Sequence, residues 1–410
     1  MAQIHDQLCA AIDAAFDDEV AFLRELVRVP TDTPPGDNAP HAARTAQLLE
    51  AMGYAVERHA VPQPEVQASG LASITNLIVR HRFGAGPTIA LNAHGDVVPP
   101  GAGWTHPPYE GAVADGRMYG RGVAVSKSDF ATYTFALRAL QALKLPLAGS
   151  IELHFTYDEE FGGELGPGWL LAQGLSKPDL ALGAGFSYGI VTAHNGCLQL
   201  EVTVHGRAAH AAMPETGVDA LAAALKIIEA IYAQRSVYVA ERSAVAGITS
   251  PTINVGRIEG GTNTNVVPDR VSFRLDRRMI PEEDPATVET ELRRVIETAA
   301  AQSPQAKVEV KRLLLARALK PLAGHEKLVA ALQTHAQRLV APEIPATGTP
   351  LYTDARLYCE AGVPTVLYGA GPRTILEANA KRADENLVLE DLRKATKVVA
   401  CALADLLGVR

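Results

Sequence analysis

The chain has 410 residues, enough for two or three domains around a sizeable buried core. Hydrophobic residues make up 47% and charged residues 20%, which excludes a disordered or fibrous chain. With 38 Lys and Arg against 46 Asp and Glu, the net charge of −8 argues against a nucleic-acid partner.

Leu8, Ile12, Phe16, Val20, Leu23 and Val27 recur at three- and four-residue steps and predict an amphipathic opening helix that stops before Pro30. A second helix is predicted from His41 to Met52, ending at Gly53. Apolar runs of strand length follow at Ile74–Arg80, Thr88–Asn92 and Ile151–Tyr157, the last alternating with polar neighbours. A helical stretch from Asp129 to Leu143 separates the second from the third, so strands and helices alternate as in an α/β sheet.

From Leu198 the pattern changes. A strand (Leu198–Val204), a helix (Val218–Ala233), two strands (Thr252–Ile258 and Val271–Leu275), a helix (Pro285–Ala301) and a strand (Val308–Leu314) give a ferredoxin-like βαββαβ order. The α/β pattern then returns with a strand at Thr365–Tyr368 and a closing helix from Glu390 to Leu407. The economical reading is an inserted module, residues 198–314, within a larger α/β domain built from 1–197 and 315–410. Cys9, Cys197, Cys359 and Cys401 form no CxxC pair, so a reducing cytoplasm is expected. The opening residues lack the apolar core of a signal peptide, and no stretch approaches the ~20 apolar residues of a membrane span.

Two segments carry candidate chemistry. In LNAHGDVVPPG, His94 and Asp96 follow a predicted strand at the edge where α/β sheets bind ligands, and the Asp can orient the imidazole or join it at a metal. In FTYDEEFGG, Asp158, Glu159 and Glu160 crowd the end of another strand, which favours a bound cation, a nearby base or a raised carboxyl pKa.

His94-x-Asp96, then GRGVAVSKSD, Glu159-Glu160-x-Gly-Gly, GRAAHAAMPETGVDA, GGTNTNVVPD and TDARLYCEAGVPTVLYGAG follow one another in an order that resembles the co-catalytic zinc metallopeptidase family of aminoacylase, glutamate carboxypeptidase, acetylornithine deacetylase and succinyl-diaminopimelate desuccinylase. The resemblance spans nearly the whole chain. It implies a two-domain α/β fold: a mixed-sheet, zinc-peptidase-like catalytic domain with the ferredoxin-like insert as lid and dimerisation domain. By that resemblance His94 is a metal histidine, Asp96 its orienting carboxylate, Glu159 the general base and Glu160 a second-metal ligand.

Three further ligand positions of the family fall here on Val125, Gly185 and Lys381, none of which offers a metal a side-chain lone pair. The expectation drawn from this count is no cofactor, or at most one weakly bound zinc or other divalent metal. Lys381 is expected to pair with Glu160 in the metal's stead. Ser126 is read as a helix N-cap or, like Ser128 and assisted by Lys127 or Lys381, as a nucleophile or hydrogen-bond donor in the vacated metal space, with Ser126 and Lys127 in contact with substrate. On the insert, the resemblance makes His210 a carbonyl-polarising residue donated across a homodimer, Asn265 and Arg278 contacts to substrate, and Gly260 and Gly261 a close backbone approach.

The function expected is an amidohydrolase acting on a C–N bond of a small carboxylated substrate such as an N-acyl amino acid or dipeptide. A metal-free lyase or isomerase, and a non-catalytic binder of small molecules, are the alternatives. Neither nucleic acid nor membrane is an expected partner.

Overall fold

The computed structural model describes residues 2–408. The chain divides into two compact units, Met1–Thr192 with Pro321–Thr347 and Thr353–Arg410, and Ala193–Lys320 with Gly348–Tyr352. The second unit thus starts before and ends after the 198–314 read from sequence, and takes in a short return segment.

The first part of the chain lays down β1 (Val56–Ala60), β2 (Thr75–Arg82), β3 (Thr88–His94), β4 (Ala112–Ala114), β5 (Arg117–Tyr119), β6 (Ser150–Thr156), β7 (Leu180–Gly183) and β8 (Ile190–His194). The second unit contributes β9 (Gly196–His205), β10 (Thr252–Gly260), β11 (Arg270–Met279) and β12 (Lys307–Ala316). The chain closes with β13 (Ala346–Thr349), β14 (Thr365–Leu367) and β15 (Asn386–Val388).

A mixed eight-stranded sheet runs in the order β1-β2-β6-β3-β7-β14-β8-β13, and β4, β5 and β15 form a small separate sheet. At its centre β3 is parallel to both β6 and β7. Ile89, Ala90 and Leu91 are consecutive and all buried, the mark of a strand covered on both faces. The cover comes from helices, among them Lys127–Ala142 and Ala355–Glu360, whose Tyr358 packs with Ala90. The predicted single opening helix is instead two, Ala2–Ala14 and Phe16–Val27, separated at Ala15, which leaves helical geometry.

In the second unit a four-stranded antiparallel sheet has the order β10-β11-β9-β12, with helices Ala220–Tyr238 and Pro285–Ala300 between its strands in sequence, giving the βαββαβ order. Alternate residues of β9, Leu198, Leu200, Val202 and Val204, are buried in a core shared with Ile227, Phe273, Leu292 and Ile296. Asp219 and Asp284 cap the two helices by accepting backbone N–H groups of their first turns. Among the described residues, no helix is long and apolar enough to cross a membrane.

Candidate active site

Strands β3 and β6 run in register, His94 opposite Thr156, so the turns that follow them leave the sheet side by side. One delivers His94 and Asp96, the other Asp158, Glu159 and Glu160. Asp96 is wholly buried, and its carboxylate accepts the backbone N–H of Glu159 at 3.3 Å and of Glu160 at 2.9 Å, so the first turn fixes the second. His94 Nδ1 lies 3.0 Å from the Asp96 carbonyl oxygen and 3.4 Å from its carboxylate, while Nε2 is 3.7 Å from Glu159 Oε2. Ser126 holds the histidine from behind: its hydroxyl donates to the His94 carbonyl at 2.9 Å and accepts the His94 N–H at 3.0 Å.

Burial works against a charge on His94, yet Glu159, followed by Asp96 and Glu160, pushes the imidazole up to about 10. Burial, reinforced by Glu160, pushes Glu159 up to about 7, with His94 and Lys381 pulling the other way. Asp158 rises to about 8 through burial and the nearby Asp96. Lys381 places its ammonium 2.7 Å from Glu160 Oε2. Its backbone is left-handed, with φ at 61°, as are those of Asn379 and Asp384 in the same loop. The loop is anchored by Glu385, whose buried carboxylate meets Arg121 at 2.6 Å and the Ala124 N–H at 3.2 Å.

Two carboxylates at these strand ends were not assigned a role from sequence. Asp354 is buried, stands well above the ordinary carboxyl range through burial and the neighbouring Asp158 and Glu159, and leaves Oδ1 without a hydrogen-bond partner. A Cβ at Gly163 would fall 2.1 Å from that oxygen, which explains the double glycine after Glu159-Glu160. Asp129 accepts the Ala370 N–H at 2.7 Å, and burial pushes it up to about 7 against bonds from the Ala370 and Gly185 backbones. The available signals were the Thr-Asp of TDARLY and the glycines that make room for these groups.

Several residues sit differently from the sequence reading. Ser126 occupies the N-cap position but makes no capping bond, because its hydroxyl is committed to His94. Lys127 is fully buried and donates to the carbonyls of Val29 (3.0 Å) and Leu26 (3.4 Å), so its ammonium is engaged with backbone and is not a free substrate contact. Gly185 has no room for any side chain, since a Cβ would lie 2.6 Å from the Tyr368 nitrogen. Val125 is half-buried in the loop before the helix.

In the second unit His210 is exposed, and its Nδ1 accepts the Ala212 N–H at 3.0 Å, which leaves the ring proton on Nε2. Asn265 is exposed as well. Arg278 donates to Asp276 at 2.7 and 3.3 Å, so its guanidinium is already partnered. Gly260, with φ at 154°, is required, because a Cβ there would lie 2.5 Å from the Arg270 carbonyl oxygen, and Gly261 has φ at 77°.

Comparison with known proteins bears on the family and the fold. Succinyl-diaminopimelate desuccinylase of Methylobacterium sp. (strain 4-46) is 29% identical over 398 residues, covering 92% of this chain and 93% of its own. The M20 family metallo-carboxypeptidase Sso-CP2 from Sulfolobus solfataricus shares the fold with a TM-score of 0.79 at 18% identity, covering 94% of this chain and 98% of its own. The Bacillus subtilis YXEP protein, described as a dinuclear metal-binding peptidase, does so with a TM-score of 0.66 at 19% identity, over 97% and 100% of the two chains.

These relatives overturn the expectation of no cofactor or at most one weak ion, since the Sulfolobus protein is named a metallo-carboxypeptidase and the Bacillus protein a dinuclear metal-binding peptidase, and nothing in the matches marks a lost site. Counting three vacant positions misled because it passed over the carboxylate of Asp354, whose nearest charged groups are those of Asp158, Glu159 and His94. The donors present, His94 with Asp96, Glu159, Glu160 and Asp354, have the nitrogen-and-oxygen chemistry a divalent ion of the zinc type takes, and Asp354 Oδ1 is an orphaned buried acceptor among them. Val125, Gly185 and Lys381 contribute nothing to such a set. A family model covers residues 90–405, well over half the length, and the chain belongs to peptidase family M20/M25/M40, hydrolases of C–N amide bonds.

Proposed function

We propose that this protein hydrolyses the amide bond of a small carboxylated substrate, an N-acyl amino acid or a dipeptide, with Glu159 as general base. The observation that carries the reading is the placement of the Glu159 carboxylate 3.7 Å from His94 Nε2, with a lysine ammonium on the adjacent Glu160, at the carboxyl edge of the central strands. The name of the desuccinylase, which removes an acyl group from an amino acid, points the same way.

In this scheme Glu159 takes a proton from water as the water oxygen adds to the amide carbon. The Lys381 ammonium, 2.7 Å from Glu160, supplies positive charge near the developing oxyanion, and Glu159 returns the proton to the leaving nitrogen. A divalent ion held by His94 and the neighbouring carboxylates, when bound, supplies Lewis-acid polarisation. On the second unit, Arg278 is paired with Asp276 and can exchange that partner for a substrate carboxylate.

Homodimer formation through the second unit belongs to the same reading. Leu221 and Leu225, one turn apart on helix Ala220–Tyr238, are 39% and 55% exposed, and Ile258 on the edge strand β10 is 51% exposed. The four free cysteines suit a reducing cytoplasm.

The test is a panel of N-succinyl and N-acetyl amino acids and dipeptides, with release of amine followed in wild type and Glu159→Gln. Hydrolysis in wild type, with binding but no turnover in the variant, supports the reading. Deuterium entering substrate carbon without amide cleavage would replace it with the lyase or isomerase alternative.

A further inference from the structure

Away from the strand ends, three helices of the first unit meet along a seam: the opening helix Ala2–Ala14, His325–Leu339 and the closing Leu389–Leu407. Each presents one polar residue to a single point. Asp405 accepts from His5 Nε2 at 2.8 Å through one oxygen and from His335 Nε2 at 2.7 Å through the other. The two imidazole rings are edge to face with centroids 4.4 Å apart. Their ligand atoms and the carboxylate oxygen all lie within 4.8 Å of one another, and they are the one such group of three among the described residues.

We infer that His5, His335 and Asp405 form a second divalent-metal site, of the zinc type, remote from the active site. Two imidazoles and a carboxylate are a donor set that transition ions of this class take with further positions left to water. Bonds of ~2.0–2.1 Å to a tetrahedral ion put ligand atoms ~3.3 Å apart, so the trio needs to open by about half an ångström. Ion entry is geometrically simple, because His5 and Asp405 keep part of their side chains open to solvent, 12% and 30%.

The buried ring has its polar contact at this one point. His335 is 3% exposed, and its Nδ1 is buried with no partner, so the ring is held only by the nitrogen that faces the other two ligands. Coordination through Nε2 moves the ring proton to Nδ1, so an ion at this point replaces the two imidazole–carboxylate hydrogen bonds. An ion there ties the first helix of the chain to the last.

The experiment is a zinc titration of the chelator-stripped, full-length protein, read by bound equivalents and by melting temperature, in wild type, Asp405→Asn and His5→Gln. The expected result is that both variants bind one equivalent fewer than wild type at micromolar zinc and lose most of the zinc-dependent rise in melting temperature, while amide hydrolysis by the metal-loaded enzymes is unchanged. Equal stoichiometry in wild type and both variants overturns the site. A wild-type equivalent that appears only at millimolar zinc and does not move the melting temperature also overturns it, as adventitious binding. Asp405→Asn preserves shape, and His5→Gln changes a partly open position, so the comparison does not depend on a variant of the buried His335.

Discussion

Two of the places where the first unit buries acids treat them differently. At the strand ends, Asp96, Asp158, Glu159 and Asp354 are gathered around His94, with Lys381 reaching Glu160 from the rim. Between helices Phe16–Val27 and Leu389–Leu407, Glu19 is buried with one hydroxyl for company, Thr396 donating at 2.5 Å, and its other oxygen has no partner. At the strand ends cations oppose burial at one acid, His94 and Lys381 pulling against the rise of Glu159, while Asp158 and Asp354 stay raised as buried acids. With none nearby, burial alone pushes Glu19 up to about 8, so at neutral pH it is a buried acid rather than a carboxylate. What a buried carboxyl can do therefore follows from how many positive groups share its site, and only the strand ends have the means for proton transfer.

The largest change expected is from Glu159→Gln, which keeps shape and removes the base. Turnover on an N-acyl amino acid should fall by roughly 10²-fold or more, with the substrate's binding largely retained. A rate within a few-fold of wild type would take Glu159 out of the mechanism. Lys381→Met makes the strand ends more like the Glu19 site by removing a cation, and a loss of about tenfold in kcat/KM is expected, the scale of one pKa unit of lost interaction. Partial recovery in Lys381→Arg is the control for charge against shape.

Glu19 gives a stability effect instead. Its folded pKa lies above the unfolded value of 4.5, so the contribution is full below 4.5 and is lost as pH rises toward 8. Unfolding free energy from denaturant melts should fall by up to ~1.4 kcal/mol per pH unit across that window, and Glu19→Gln should flatten the dependence. The smallest effect on chemistry is expected from Leu225→Glu, which places a charge on the exposed helix face of the second unit. Light scattering should show a dimer in wild type shifting toward monomer, with the fold intact by circular dichroism.

The central strands were legible because β3 and β6 are continuous apolar or alternating runs, and the residues just past them, His94, Asp96, Glu159 and Glu160, inherit their place from strand ends. The strand β7 escaped notice at four residues, too short for a period to show. Helix His325–Leu339 was passed over although its buried Leu328, Leu332, His335 and Ala336 keep a helical spacing. Asp354 was invisible as a site residue because only the fold brings it to β6, and the metal expectation failed because vacancies were counted at fixed positions while carboxylates from elsewhere went uncounted. Arg278 was read as a fork for a substrate carboxylate, and spacing does not say that Asp276, two residues away on β11, is already its partner.

The anchored loop that carries Lys381 has a further meaning for timing. Arg121 and Glu385 pin its base out of reach of water, whereas the lysine side chain itself is 56% exposed. An arriving anionic group that competes with Glu160 for the ammonium has only a side chain to swing, a motion of picoseconds to nanoseconds, and no backbone to rearrange. Exchange of partners at this lysine is therefore far too fast to govern turnover, and any slow step the enzyme shows has to be sought elsewhere.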